Sequence, residues 1–205
     1  DLDPLGDYLI ERHRQAIAAA GMTGRAHVGD LPFRWQTDFD FKSFGGWKIN
    51  QEGNGRERNI LVVIPGKNRK QAVVMADHYD TAYMEDVYEK ERGGSGARVA
   101  AAGADDNSSA TATLLQAASI FLTLAREGKL ERDVWLLHLT GEEFPSDCLG
   151  ARNFCQALVE GTLKLHAGDQ LVDLANVRVA GVVVMDMIAH NRENAQDIFQ
   201  IAPGD

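Results

Sequence analysis

Cysteine and positive charge are both in short supply in this 205-residue chain. Its only cysteines, Cys148 and Cys155, stand seven positions apart in a stretch read as helical. Two helical turns separate such residues by roughly 10 Å, beyond the reach of a disulfide, so both are read as packing groups and the redox compartment stays open. Thirty acidic residues against 21 basic ones leave a formal charge of −9. That balance argues against a nucleic-acid partner, because neutralising phosphates needs a basic face. Apolar runs fall short of the ~20 residues that cross a bilayer, so no membrane span is expected, and no basic-then-apolar signal segment opens the chain. Internal repeats and low-complexity tracts are absent too. What remains is 44% apolar and 25% charged residues, enough for one substantial core. A single α/β domain over 1–205 is the expectation, while nothing in these totals bears on oligomeric state.

Residues 4–20 space Leu5, Leu9, Ile10, Ala16 and Ile17 among charges and predict an amphipathic helix closed by Gly21. Over 31–64, aromatic and polar residues alternate around the turn signals GG (45–46) and GNG (53–55), which predicts a meander of strands. A strand at 72–77 leads through a polar, Gly-rich stretch to a long apolar helix with Asn107 or Ser108 as N-cap and Gly128 as stop. The apolar run in DVWLLHLTGEE (133–143) reads as a second strand, the segment after Gly150 as a helix, and VRVAGVVVMDM as a third strand ending on Asp186. Alternation of this kind implies an α/β three-layer sandwich: a mostly parallel mixed sheet, helices on both faces, and a site at the C-terminal strand ends.

The stretch VVMADHYDTAY (73–83) sharpens that expectation, since a buried strand runs into His78 and Asp80. Positions i and i+2 of an extended chain face one side, so imidazole and carboxylate project together. The other strands end on Glu142 and Glu143 and on Asp186, and Asp105–Asp106 stand just before a helix. Each has an ordinary explanation alone, as a helix cap or as charge stabilisation at a helix start. Brought to one rim, the carboxylates would repel one another unless a cation sat among them. One imidazole with several carboxylates and no thiolate grouping suits a catalytic zinc, manganese or cobalt site. There is no GxSxG motif and neither cysteine has an evident His partner.

The motifs HYDT, GADDNSSA, GEE followed by LGAR, and VVVMDM, in this order, resemble the co-catalytic zinc exopeptidase family of bacterial leucyl aminopeptidases, aminopeptidase Y and glutamate carboxypeptidase over roughly residues 55–190. The resemblance implies a zinc-peptidase fold, two zinc ions, and hydrolysis of peptides or aminoacyl amides at a chain terminus. It makes His78 and Asp186 ligands of the first zinc, Asp106 the bridge, and Glu143 a ligand of the second. Set against the family's pattern, DDNSSA implies Asp106 rather than Asp105, because Asp106 lies three residues before Ser109. Asp80 would hold the His78 imidazole, and Glu142 would be the base that takes a proton from a metal-bridging water. A secreted or periplasmic location is a family-level expectation.

Three departures accompany the resemblance. The family takes a last ligand of the second zinc from a His well downstream, and this chain ends at Asp205. Truncation is therefore expected, with the second site incomplete and the isolated chain a poor catalyst. Of the remaining histidines, His13 and His27 precede the core, His138 is expected packed or hydrogen-bonded inside a strand, His166 in a loop, and His190 is the local candidate for the ligand. The six-residue spacer FPSDCL between Glu143 and Gly150 is longer than expected, and Met84–Gly103 reads as a lid, a specificity loop or an inert insertion. Two other readings stay open: a one-zinc acyltransferase of the glutaminyl-cyclase type, and a non-catalytic domain of the same fold.

Overall fold

The computed structural model describes residues 2–34, 56–85, 98–143, 146 and 148–189. In chain order the elements are α1 (Asp3–Ala19), β1 (His27–Arg34), β2 (Arg56–Ile64), β3 (Asn68–His78), β4 (Tyr83–Glu85), β5 (Arg98–Ala100), α2 (Ser108–Arg126), β6 (Arg132–Leu139), α3 (Leu149–Val159), β7 (Lys164–Ala167), β8 (Gln170–Asp173) and β9 (Arg178–Val184). Seven strands form one sheet in the order β8-β7-β1-β2-β6-β3-β9, and β4 and β5 make a separate antiparallel pair.

The sheet divides its apolar residues by parity, as the pleat requires. Ile60, Val62, Ile64, Val134 and Leu136 face α1 and α2, where they meet Leu9, Ile17, Leu114 and Leu122. Leu61, Val63, Val74, Trp135 and Leu137 face the other way, toward Phe154 of α3 and toward Leu163 and Leu165. Because β2 and β6 are covered on both sides, their sequences read as unbroken apolar runs. The three-layer arrangement with helices on both faces is therefore as expected.

The parallel character is more limited than expected. β3 pairs in parallel with β6 and with β9, whereas β1–β2, β1–β7, β2–β6 and β7–β8 are antiparallel. Among the described strands, parallel pairing is thus confined to the β6–β3–β9 block, where a helix-bearing connection separates consecutive strands. The β7–β8 hairpin went unread because its strands are only four residues each. It puts His166 in a strand opposite Asp30 of β1, rather than in a loop. At Gly29 the two backbones come so close that a Cβ would collide with the His166 carbonyl.

Of the predicted meander, β1 and β2 are seen as an antiparallel pair; both turn signals fall outside the described residues, as do the middle of the Met84–Gly103 stretch and Pro145 and Asp147 of the spacer. His13 needs a correction: it is fully buried in the core, its Nε2 2.8 Å from that of His138. His138 is in turn 2.8 Å from Asp77 through Nδ1. Helix α2 also qualifies the membrane expectation, since by length and composition alone its 19 residues could cross a bilayer. Here it buries Ala110, Leu114, Ala118 and Leu122 against the sheet, which is the behaviour of a core helix. Neither cysteine is in a disulfide, and Cys148 lies just before α3 rather than within it.

Candidate metal centre

The three parallel strands lie side by side and end together. β3 stops at His78, β6 at Leu139 just before Thr140-Gly141-Glu142-Glu143, and β9 at Val184 just before Asp186. Single main-chain bonds extend the pairing past the strand ends: Tyr79 N–H to Leu139 C=O at 2.9 Å and Met185 N–H to Ala76 C=O at 2.8 Å. Asp106 comes from the turn that starts α2. That turn is tied to β9 by Asn107, whose Nδ2 donates to the Met185 carbonyl at 3.0 Å. The Thr111 hydroxyl of α2 donates to the His78 carbonyl at 3.3 Å. Four separate chain segments are therefore fixed around one imidazole.

That imidazole is nearly inaccessible, with 4% side-chain exposure, while Asp106, Glu142 and Asp186 are 39–46% exposed and face a solvent-open rim. His78 Nε2 stands 3.0 Å from Asp106 Oδ1, 3.5 Å from Asp186 Oδ1 and 3.9 Å from Glu142 Oε2. Its Nδ1 is 3.2 Å from the Asp80 main-chain carbonyl. The Asp80 carboxylate does something the sequence did not suggest. It lies 3.6 Å from Nδ1, and its two oxygens accept the main-chain N–H groups of Glu142 (3.2 Å) and Glu143 (3.0 Å). Asp80 thereby orients the two glutamates as well as facing the histidine.

Asp105 and Asp106 are also told apart. Asp105 Oδ1 accepts the Ala189 N–H at 2.9 Å and its carbonyl accepts the Ser109 hydroxyl at 2.7 Å, so Asp105 fastens the loop while Asp106 turns to His78.

The donor set fits a divalent cation. His78 Nε2 and Glu143 Oε1 are buried without a hydrogen-bond partner, an arrangement that costs free energy unless something else binds them. Two overlapping groups, His78–Asp106–Asp186 and His78–Glu142–Glu143, each bring one ligand atom per residue to within 4.8 Å of one another. Proton affinities show the same crowding. Burial and the neighbouring Asp106 charge push the Glu143 carboxyl up to about 7. Glu142 is also raised, chiefly by burial. Burial alone would lower His78, but Asp80, Glu142 and Asp186 overcome it and hold the imidazole at about 9. A bound cation would reverse these pressures, stabilising the carboxylates and the neutral ring.

All six residues singled out from the sequence lie at this rim. His13, His27, His138 and His166 do not reach it, and His190 lies outside the described residues. Two further residues escaped sequence reasoning. Asn59, wholly buried in β2, bonds to both Thr140 and Gly150 and so holds the end of β6; its signal was an amide at the head of an apolar run. Cys148 brings its thiol to 3.7 Å from Glu142 Oε1, a contact made across a turn that spacing alone does not reveal.

The family model for peptidase family M28 matches residues 59–204, a span that holds all six rim residues. The chain belongs to peptidase family M28. Among solved structures, this M28 chain is similar to a glutaminyl cyclase of Bacteroides thetaiotaomicron bound to N-acetylhistamine (16% identity, 89% of this chain and 52% of that one, TM-score 0.56). It is likewise similar to a leucine aminopeptidase precursor of the same organism (17%, 89% and 53%, 0.53). A Zn-dependent exopeptidase of Parabacteroides distasonis gives 15% identity over 91% of this chain and 53% of that one, with a TM-score of 0.56. At these identities the likeness is one of fold, and the M28 chain spans about half the length of these three structures. Comparison with curated proteins gives no match.

Proposed function

We propose that the protein is a zinc-dependent exopeptidase, an aminopeptidase that hydrolyses the terminal bond of a peptide or aminoacyl amide. The observation that carries this reading is the convergence on His78 Nε2 of Asp106, Asp186 and Glu142 from separate segments, beside a buried Glu143 oxygen without a partner. The M28 match supports it. His78 and Asp186 would hold one zinc ion, Glu143 a second, and Asp106 both. Zinc bound there would lower the pKa of a water and polarise the scissile carbonyl.

The chain's own residues supply the rest. Glu142 removes the proton from the attacking water and delivers it to the leaving amine. Asp80 fixes the main chain of Glu142 and Glu143 through their N–H groups, so the backbone that carries base and ligand is held in place. No serine or cysteine nucleophile is required.

The test is hydrolysis of aminoacyl p-nitroanilides, run beside cyclisation of an N-terminal glutamine peptide and calorimetric zinc titration. Glu142→Gln is expected to lower hydrolysis by about a thousandfold while zinc binding persists. His78→Ala and Asp106→Ala are expected to weaken zinc binding itself. Wild-type turnover in Glu142→Gln sinks the base assignment; cyclisation without hydrolysis replaces the peptidase reading with acyl transfer.

A further inference from the structure

Glu142 is gripped from two sides. Its N–H donates to Asp80 Oδ1 at 3.2 Å, and its carbonyl accepts the Cys148 N–H at 3.1 Å. Cys148 then makes a second contact, its thiol lying 3.7 Å from Glu142 Oε1 in hydrogen-bonding geometry. The other oxygen, Oε2, faces His78 Nε2 at 3.9 Å. The two oxygens of the proposed base are thus divided: one is held by a thiol and the other is presented to the reacting side of the site.

The division matters because the terminal torsion of a glutamate is broad and two-fold, so the carboxylate plane is set by its partners rather than by rotamer preference. A base that must reach one proton within hydrogen-bond distance loses rate when that plane swings. Cys148 occupies the residue before α3 with φ 60° and ψ 34°, and its side chain does not cap the helix.

We infer that Cys148 is a positioning residue for Glu142: its S–H group holds Oε1 and so aims Oε2 at the attacking water. The inference rests on Glu142 being the base.

Alanine and serine are equally strained in the left-handed backbone conformation, and only serine keeps a donor, so the pair isolates the hydrogen bond. Cys148→Ala is expected to lower kcat about tenfold, with KM and zinc affinity unchanged, and Cys148→Ser to recover most of the loss. A second readout needs no turnover. In a Cys155→Ser background the one remaining S–H stretch, seen by infrared spectroscopy, should rise in frequency when Glu142→Ala removes the acceptor. Wild-type kcat in Cys148→Ala, a serine variant no better than alanine, or an S–H band that does not move overturns the inference. Full turnover in Glu142→Gln defeats the base reading instead. An inactive Glu142→Gln beside a fully active Cys148→Ala defeats the positioning role alone.

Discussion

Replacing Asn59 by alanine should unfasten the end of β6 that carries the two glutamates. Asn59 is 0% exposed; its Oδ1 accepts the Thr140 N–H at 3.1 Å and its Nδ2 donates to the Gly150 carbonyl at 2.9 Å. Gly150 N–H returns a bond to the Thr140 carbonyl at 3.0 Å. The fit is so close that a Cβ on Gly150 would collide with Asn59 Oδ1 and with the Thr140 carbonyl. In Asn59→Ala the Thr140 N–H is left buried without a partner, at a cost of about 1–3 kcal/mol. The Gly150 carbonyl sits in the first turn of α3 and accepts within the helix too, so losing the amide there costs nearer ~1 kcal/mol. The sum, about 2–4 kcal/mol, should shift a urea midpoint down by roughly 1–2 M at an m of ~2 kcal/mol/M. Zinc affinity should fall as well, since Thr140 is two residues from Glu142. Asn59→Asp keeps the acceptor for Thr140 but faces the Gly150 carbonyl with a carboxylate oxygen, so it should be at least as damaging at neutral pH and partly recover in acid, where the carboxyl can donate. A loss below about 0.5 kcal/mol in Asn59→Ala at unchanged m would refute this reasoning.

Two pH effects follow from the buried histidines. Burial and the neighbouring His138 lower His13 from 6.5 to about 3, so the unfolded chain binds more protons and His13's contribution, present above pH 6.5, is lost as pH falls toward 3. The loss from this group between pH 6.5 and 4.5 should be roughly 2–3 kcal/mol; urea midpoints for wild type and His13→Gln should converge or cross on acidification, and parallel pH profiles would contradict it. Zinc binding should be proton-coupled in the same sense: with His78 near 9 and Glu143 near 7, binding at pH 7 should release about one to two protons. Calorimetry in buffers of different ionisation enthalpy counts them, and apparent affinity should rise from pH 7 to 9; a flat profile would contradict the raised His78.

Much of the site was legible because strand-end chemistry is local. His78 and Asp80 at the end of an apolar strand, paired glutamates at the end of another and Asp186 at the end of a third are visible as residue types at boundaries, and a parallel block forces such ends to one rim. The preference for Asp106 over Asp105 needed the motif resemblance, and the geometry gives the two different partners. Cys148 was read as packing because its contact with Glu142 depends on how the intervening turn folds back.

What the sequence determined by itself is the longer helices and the apolar strands, with the identity of the rim residues, since apolar runs, helix periodicity and strand-end carboxylates are properties of neighbours along the chain. The tertiary structure alone decided that parallel pairing stops at β6, β3 and β9, because strand direction depends on connections rather than composition. It alone placed His13 against His138 across 125 residues. It also gave Asp80 its grip on two main-chain amides, because a hydrogen bond between distant segments exists only once packing has brought donor and acceptor within reach.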